Sequence, residues 1–189
     1  MDRCRARWLC SRPRQHLQKQ PSGALVLAYS AVEGVFVGGI SRFYENAYGG
    51  VVTQAVIATL VVVGVTLALF ASGKIRASKK ATKVFLIAMV GYMVFALVNM
   101  VMMLTGATDD AFGLRSAEIP FLGIPFGAVL GVLVIIMAAY SLVLDFDFIQ
   151  KGVANGAPRV FGWKGTFGIM VTVVWLYLEM LRFFAILRD

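Results

Sequence analysis

The run from Val51 to Ala71, VVTQAVIATLVVVGVTLALFA, holds 21 residues without a single charge. A bilayer core about 30 Å thick is crossed by about 20 apolar residues of α-helix. Backbone placed in hydrocarbon must hydrogen-bond within its own segment, which a helix does and an isolated strand does not. The run therefore reads as a membrane-spanning helix. Its polar handles, Thr53, Gln54, Thr59 and Thr66, suit bonds to backbone or to a neighbouring helix.

Outward from this span, four more apolar runs lie at about 24–43, 84–104, 121–150 and 165–187. The sequence predicts an all-α, polytopic transmembrane bundle of about five helices over residues 23–189, preceded by a basic arm at 1–22. Composition agrees: of 189 residues 59% are hydrophobic and 15% charged, against about 25% charged in soluble proteins. The net charge of +8 could suit nucleic acid, but the basic residues fall between the apolar runs. That distribution is the signature of positive-inside topology, so the bilayer is the expected partner and nucleic acid is not.

The arm carries Arg3, Arg5, Arg7, Arg12, Arg14 and Lys19 and ends at Pro21-Ser-Gly23. It has no short apolar region with a small-residue cleavage site, so it does not read as a cleaved signal. It reads as a cytoplasmic segment that sets topology, with binding to anionic lipid as the alternative. Cys4 and Cys10 form neither a metal spacing nor a disulfide framework. The only histidine, His16, lies in the same arm, so no His-based metal or catalytic centre is expected, and neither enzyme activity nor a cofactor. Lys74, Arg76, Lys79, Lys80 and Lys83 mark a second cytoplasmic loop, and Lys151, Arg159 and Lys164 a third. Thr105 to Glu118, with Asp109, Asp110 and Glu118 against Arg115, belongs outside. The expected topology is a multi-pass membrane protein, N-terminus in and C-terminus out.

Polar groups inside the spans are the candidates for function, because a charge in the bilayer is costly and normally faces a partner or a wet cavity. Glu33 lies mid-span among Ser30, Gly34, Gly38 and Ser41, small residues that let another helix approach. Gly123, Gly127 and Gly131 repeat that spacing, and Asn99 reads as an interhelical hydrogen-bonding group. Met89, Met93, Met100, Met102 and Met103 surround their helix rather than forming a stripe, which suits packing and lipid contact. Asp145 and Asp147 lie where the fourth span has not clearly ended. Glu179 and Arg182 stand at i and i+3 on the fifth.

Three segments together, AYSAVEGVFVGGIS at 28–41, LDFDFI at 144–149 and VWLYLEMLR at 174–182, resemble the Bax inhibitor-1/YccA family in its high-GC Gram-positive form. The likeness runs from about Gln18 to the C-terminus. It implies a seven-helix membrane protein whose bacterial members act as pH-sensitive calcium leak channels. Ca²⁺ is then a permeant ion rather than a cofactor. In that family an acid near the end of the sixth helix and another in the seventh share a proton and gate the pore. By position these are Asp145 and Glu179, with Asp147 an additional carboxylate. The five spans match the family's third to seventh helices. The arginine that latches the acidic pair falls in the missing early region, which implies a truncated product or a misplaced start.

The same residues support other readings. Glu179 and Arg182 form an intrahelical pair without any transport, and Asp145 and Asp147 become solvated groups at a helix end. Family members also act as regulators that bind a protease or stress-response partner in the membrane. An intramembrane aspartyl enzyme does not fit, since one acid is terminal, the other deep, and no Gly-rich partner loop is present. Counted from the turn near Asn155, Asp145 lies about ten residues back and Glu179 about twenty-four forward. Straight helices would leave them roughly 20 Å apart in depth. Pairing would require residues 156–165 to lie along the interface or the helices to be staggered.

Overall fold

The computed structural model describes residues 22–108, 112–120 and 123–188. The basic arm, with Cys4, Cys10 and His16, lies outside the described residues, as do Asp109 and Asp110. Five long helices carry the fold: α1 (Gly23–Ala47), α2 (Val51–Ala71), α3 (Lys79–Leu104), α4 (Phe126–Ala154) and α5 (Gly162–Ile186). All five are long and apolar enough to cross a membrane. The protein is an all-α polytopic bundle.

The helix ends differ from the hydropathy boundaries where polar groups can cap. Glu45 accepts hydrogen bonds from the amides of Gly50 (2.8 Å) and Val52 (3.2 Å), placing a negative charge at the N-terminus of α2, where the helix dipole favours it. Ser78 accepts from the Ala81 amide at 3.2 Å, so α3 starts at Lys79, ahead of its apolar run, and the lysines of its first turn are helical. The fourth helix starts at Phe126 rather than 121. Glu118–Ile119 (β1) and Ile124–Pro125 (β2) pair antiparallel just before it, closed by Gly123 at φ +61°. Gly123 therefore belongs to a turn and not to a packing face of α4.

The core is an antiparallel pair, α4 against α5, with α2 lying across both. Val51 and Ala55 of α2, Ala138 and Leu142 of α4 and Leu176 and Leu181 of α5 are fully buried in one cluster. Small residues set the α4–α5 distance. A side-chain carbon built on Gly127 would lie 2.7 Å from Ile186 and 2.8 Å from the Arg115 carbonyl oxygen, and one on Gly131 2.9 Å from Phe183. Gly165 and Gly168 of α5 likewise face Ile149 and Asp145 of α4. This close approach is how helices gain dispersion energy in lipid, where no hydrophobic drive joins them.

The outer helices are different. No residue of α1 is buried, and only Phe85 and Asn99 are buried on α3. A side-chain carbon built on Gly34 or Gly38, of the small-residue face expected on the first span, meets nothing within 4 Å among the described residues. Ser41 alone of that series reaches α5, its hydroxyl 2.7 Å from that of Tyr177. Met93, Met100 and Met103 are among the exposed apolar residues of α3.

Candidate functional site

Glu179 is 2% exposed and lies on the face of α5 that turns toward α3 and the α3–α4 loop. A carboxylate so placed is stable only with compensating charge and hydrogen bonds. Three side chains supply them. Arg182, one turn on, donates from Nη1 to Oε1 at 2.7 Å. The Tyr92 hydroxyl, from α3, donates to the same oxygen. Arg115 brings its Nη1 to 3.5 Å from Oε2, an ion contact rather than a hydrogen bond, and donates from Nη2 to the Tyr92 hydroxyl at 3.0 Å. Tyr92 thus joins the two guanidiniums, with Arg182 Nη1 a further 3.4 Å from its oxygen.

Arg115 is the unexpected member. It is 4% exposed, although it belongs to the loop between α3 and α4, in a short 3₁₀ turn, Gly113–Arg115. Non-helical backbone at this depth needs its polar groups satisfied by protein, and Asn99 does this. Its Nδ2 donates to the Phe112 carbonyl at 3.2 Å and its Oδ1 accepts from the Leu114 amide at 2.8 Å. Gly113 is required there: its φ is +60°, and a side-chain carbon would lie 2.6 Å from Asn99 Oδ1. Phe112 then seats against Ala185 and Ile186, beside the rings of Tyr44 and Tyr48. The Arg115 guanidinium lies 5.6 Å from the ring centre of Tyr92 and 5.9 Å from that of Phe95, within cation–π range. Asn99, expected to join two helices, in fact holds a loop inside the bundle.

Asp145 has a separate environment. Thr172 Oγ1 donates to its Oδ2 at 2.7 Å, with the Ser141 hydroxyl 3.5 Å from Thr172. Among the described residues no cation pairs with it. Asp147 pairs with Lys151 one turn on, near the end of α4. Glu33 accepts from Tyr29 at 3.3 Å on α1, while its Oε2 is buried without a partner. The four sequence candidates therefore do not converge on one site.

The α4–α5 register gives the separation. Gly165 faces Ile149, Gly168 faces Asp145, Gly131 faces Phe183 and Gly127 faces Ile186. On that register Glu179 is level with Val134 and Ile135, eleven residues from Asp145 along the helix pair. At 1.5 Å per residue this is about 16 Å. The two acids do not form a pair. A cavity of about 480 Å³ adjoins Glu179, bounded by Tyr44, Asn99, Met100, Met103, Trp175 and Arg182 among others.

The sequence matches the family description "Bax inhibitor 1 like" over residues 14–189, which takes in all five helices. The chain belongs to that family. Neither the curated proteins nor the solved structures give a match. Within this Bax inhibitor 1-like chain, the buried carboxylate of the last helix meets two arginines among the described residues. Arg115 comes from the loop before α4 and Arg182 from α5 itself. Sequence reasoning missed Arg115 and Tyr92. One signal was present: Arg115 is the sole cation between Lys83 and Lys151, set in a loop otherwise acidic. Tyr92 carried no signal, since a tyrosine in an apolar span is ordinary.

Proposed function

We propose that this Bax inhibitor 1-like protein is a pH-sensitive cation leak of a bacterial plasma membrane, with its N-terminus cytoplasmic and calcium the favoured ion. The observation that carries the reading is Glu179, buried and bound by Arg115, Arg182 and Tyr92. In this arrangement the carboxylate is committed to two guanidiniums: Oε1 accepts from Arg182 and Tyr92, while Oε2 accepts no hydrogen bond and faces Arg115 at 3.5 Å. Opening requires Glu179 to leave the latch and the loop carrying Arg115 to move with it. Asp145, with no cationic partner among the described residues, supplies a hard oxygen donor of the kind Ca²⁺ prefers in the other half of the bundle. Because the acids stand about 16 Å apart, they act in sequence along a path instead of sharing one proton.

The test is Ca²⁺ flux into liposomes holding the purified chain, measured across a pH series. Asp145→Asn lowers flux by removing the oxygen donor. Glu179→Gln lowers it by leaving two guanidiniums uncompensated in the path. Unchanged flux in both variants removes these residues from transport. A stoichiometric membrane partner that co-purifies with a flux-silent protein would instead make the chain a regulator of that partner.

A further inference from the structure

The latch around Glu179 carries surplus positive charge. Arg115 and Arg182 contribute two guanidiniums, and among the described residues Glu179 is the one carboxylate bounding the adjoining cavity. Asp145 is about 16 Å away along the helix pair, and Glu45 is engaged on the amides of Gly50 and Val52. Guanidinium does not shed its proton in proteins, so among the described residues one positive charge of this group stands uncancelled. Such a charge calls for a counter-ion.

Arg182 is the group that can receive one. Only its Nη1 is used, on Glu179 and Tyr92; Nε and Nη2 donate to nothing among the described residues. A third of its side chain is exposed, against 5% for Arg115. It borders both the 480 Å³ cavity and a second one, between α1 and α5, of about 380 Å³. It stands four residues before the end of α5 at Ile186, a rise of about 6 Å, within reach of lipid headgroups. The rim of the larger cavity is apolar and open: Met100 and Met103 are 52% and 41% exposed on α3.

A forked donor with apolar surface beside it suits an oxyanion that carries hydrocarbon. We propose that this cavity binds a phosphate group through the free N–H groups of Arg182, supplied by an anionic phospholipid whose chains lie along Met100 and Met103 or by free phosphate. This site does not depend on the cation leak and would stand if that activity were absent.

Trp175 bounds the cavity and reports on it. With Trp8→Phe and Trp163→Phe it becomes the single tryptophan of the full chain. The protein is reconstituted in phosphatidylcholine vesicles containing a minor fraction of either brominated phosphatidylglycerol or brominated phosphatidylcholine. The expected result is at least twofold stronger quenching of Trp175 by the anionic lipid, with the difference lost in Arg182→Gln and largely kept in Arg182→Lys. Loss of the difference on adding inorganic phosphate shows that the same site takes the free anion. If the lipids quench equally and inorganic phosphate leaves Trp175 emission unchanged, the proposal fails. A preference that survives intact in Arg182→Gln also overturns it, by assigning the effect to the general basic charge of the chain. If Arg182→Gln does not fold, competition in the parent protein decides: a lipid difference lost to inorganic phosphate but kept at the same ionic strength of chloride supports the site, and one that both salts abolish or both leave intact overturns it.

Discussion

Asp145 lies level with Gly168 on α5, eleven residues short of Glu179, a distance of about 16 Å along the helix pair. Among the described residues no hydrogen bond or ion pair joins the two: Thr172 and Ser141 continue from Asp145, while Tyr92, Arg115 and Arg182 enclose Glu179. Each acid has its own partners.

Independence of the two acids is measurable. Residues this far apart without shared partners add within about 0.5 kcal/mol. A double-mutant cycle of Asp145→Asn and Glu179→Gln, read by unfolding in detergent, should show coupling no larger than that. Coupling above about 1.4 kcal/mol, a tenfold effect, would mean that the two share charge after all.

Arg115 should matter more than Arg182 for stability. Removing one partner of a buried ion pair costs roughly 3–5 kcal/mol when the other charge is stranded. Glu179 retains Arg182, so Arg115→Gln should cost about 2 kcal/mol by the same principle. Arg182 is a third exposed, and Arg182→Gln should cost under about 1 kcal/mol, the range of exposed pairs. Chemical unfolding of the two variants gives the order, and a reversed order would place the latch chiefly in the intrahelical pair.

Asn99→Ala tests the loop. It strands the Leu114 amide and the Phe112 carbonyl inside the bundle, and unsatisfied buried groups cost about 1–3 kcal/mol each. The loop should release first. Amide exchange at Gly113 to Ser116 should accelerate well before that of α4. Uniform acceleration across both segments would show that Asn99 supports the bundle rather than the loop.

Glycines on α1 and α5 should respond oppositely. Gly165→Ala drives a carbon to 2.5 Å from Ile149 Cγ1, and overpacking of this kind costs about 1–3 kcal/mol. Gly34→Ala and Gly38→Ala meet nothing and should be neutral or stabilising by up to about 1 kcal/mol through helix propensity. Melting of the purified variants checks both. A large loss from Gly34→Ala would reveal that this face is occupied in the membrane by a helix from elsewhere.

Much of the architecture was legible residue by residue. An uncharged stretch such as 51–71 leaves a backbone in lipid only the helix, so class and span number follow from hydropathy. The pairing of Glu179 with Arg182 was equally legible, because positions three apart on a helix are neighbours. The start of the fourth helix was not. Its apolar run begins at 121, but Glu118–Ile119 pairs with Ile124–Pro125 and Gly123 at positive φ turns the chain before Phe126. The role of Asn99 was half legible: its need for partners was evident, their location in a loop was not.

The sequence by itself therefore determined that this is a polytopic helical membrane protein of the Bax inhibitor 1-like family, with five helices long and apolar enough to cross a membrane among the described residues and costly acids in the last two. Only the tertiary structure decided which groups meet those acids. Tyr92 and Arg115 reach Glu179 across 87 and 64 positions of chain, and no local period records a contact at that range. The spacing of Asp145 and Glu179 depends on the α4–α5 register. That register is set by which glycines admit Ile149, Phe183 and Ile186, a matter of packing that hydropathy does not encode.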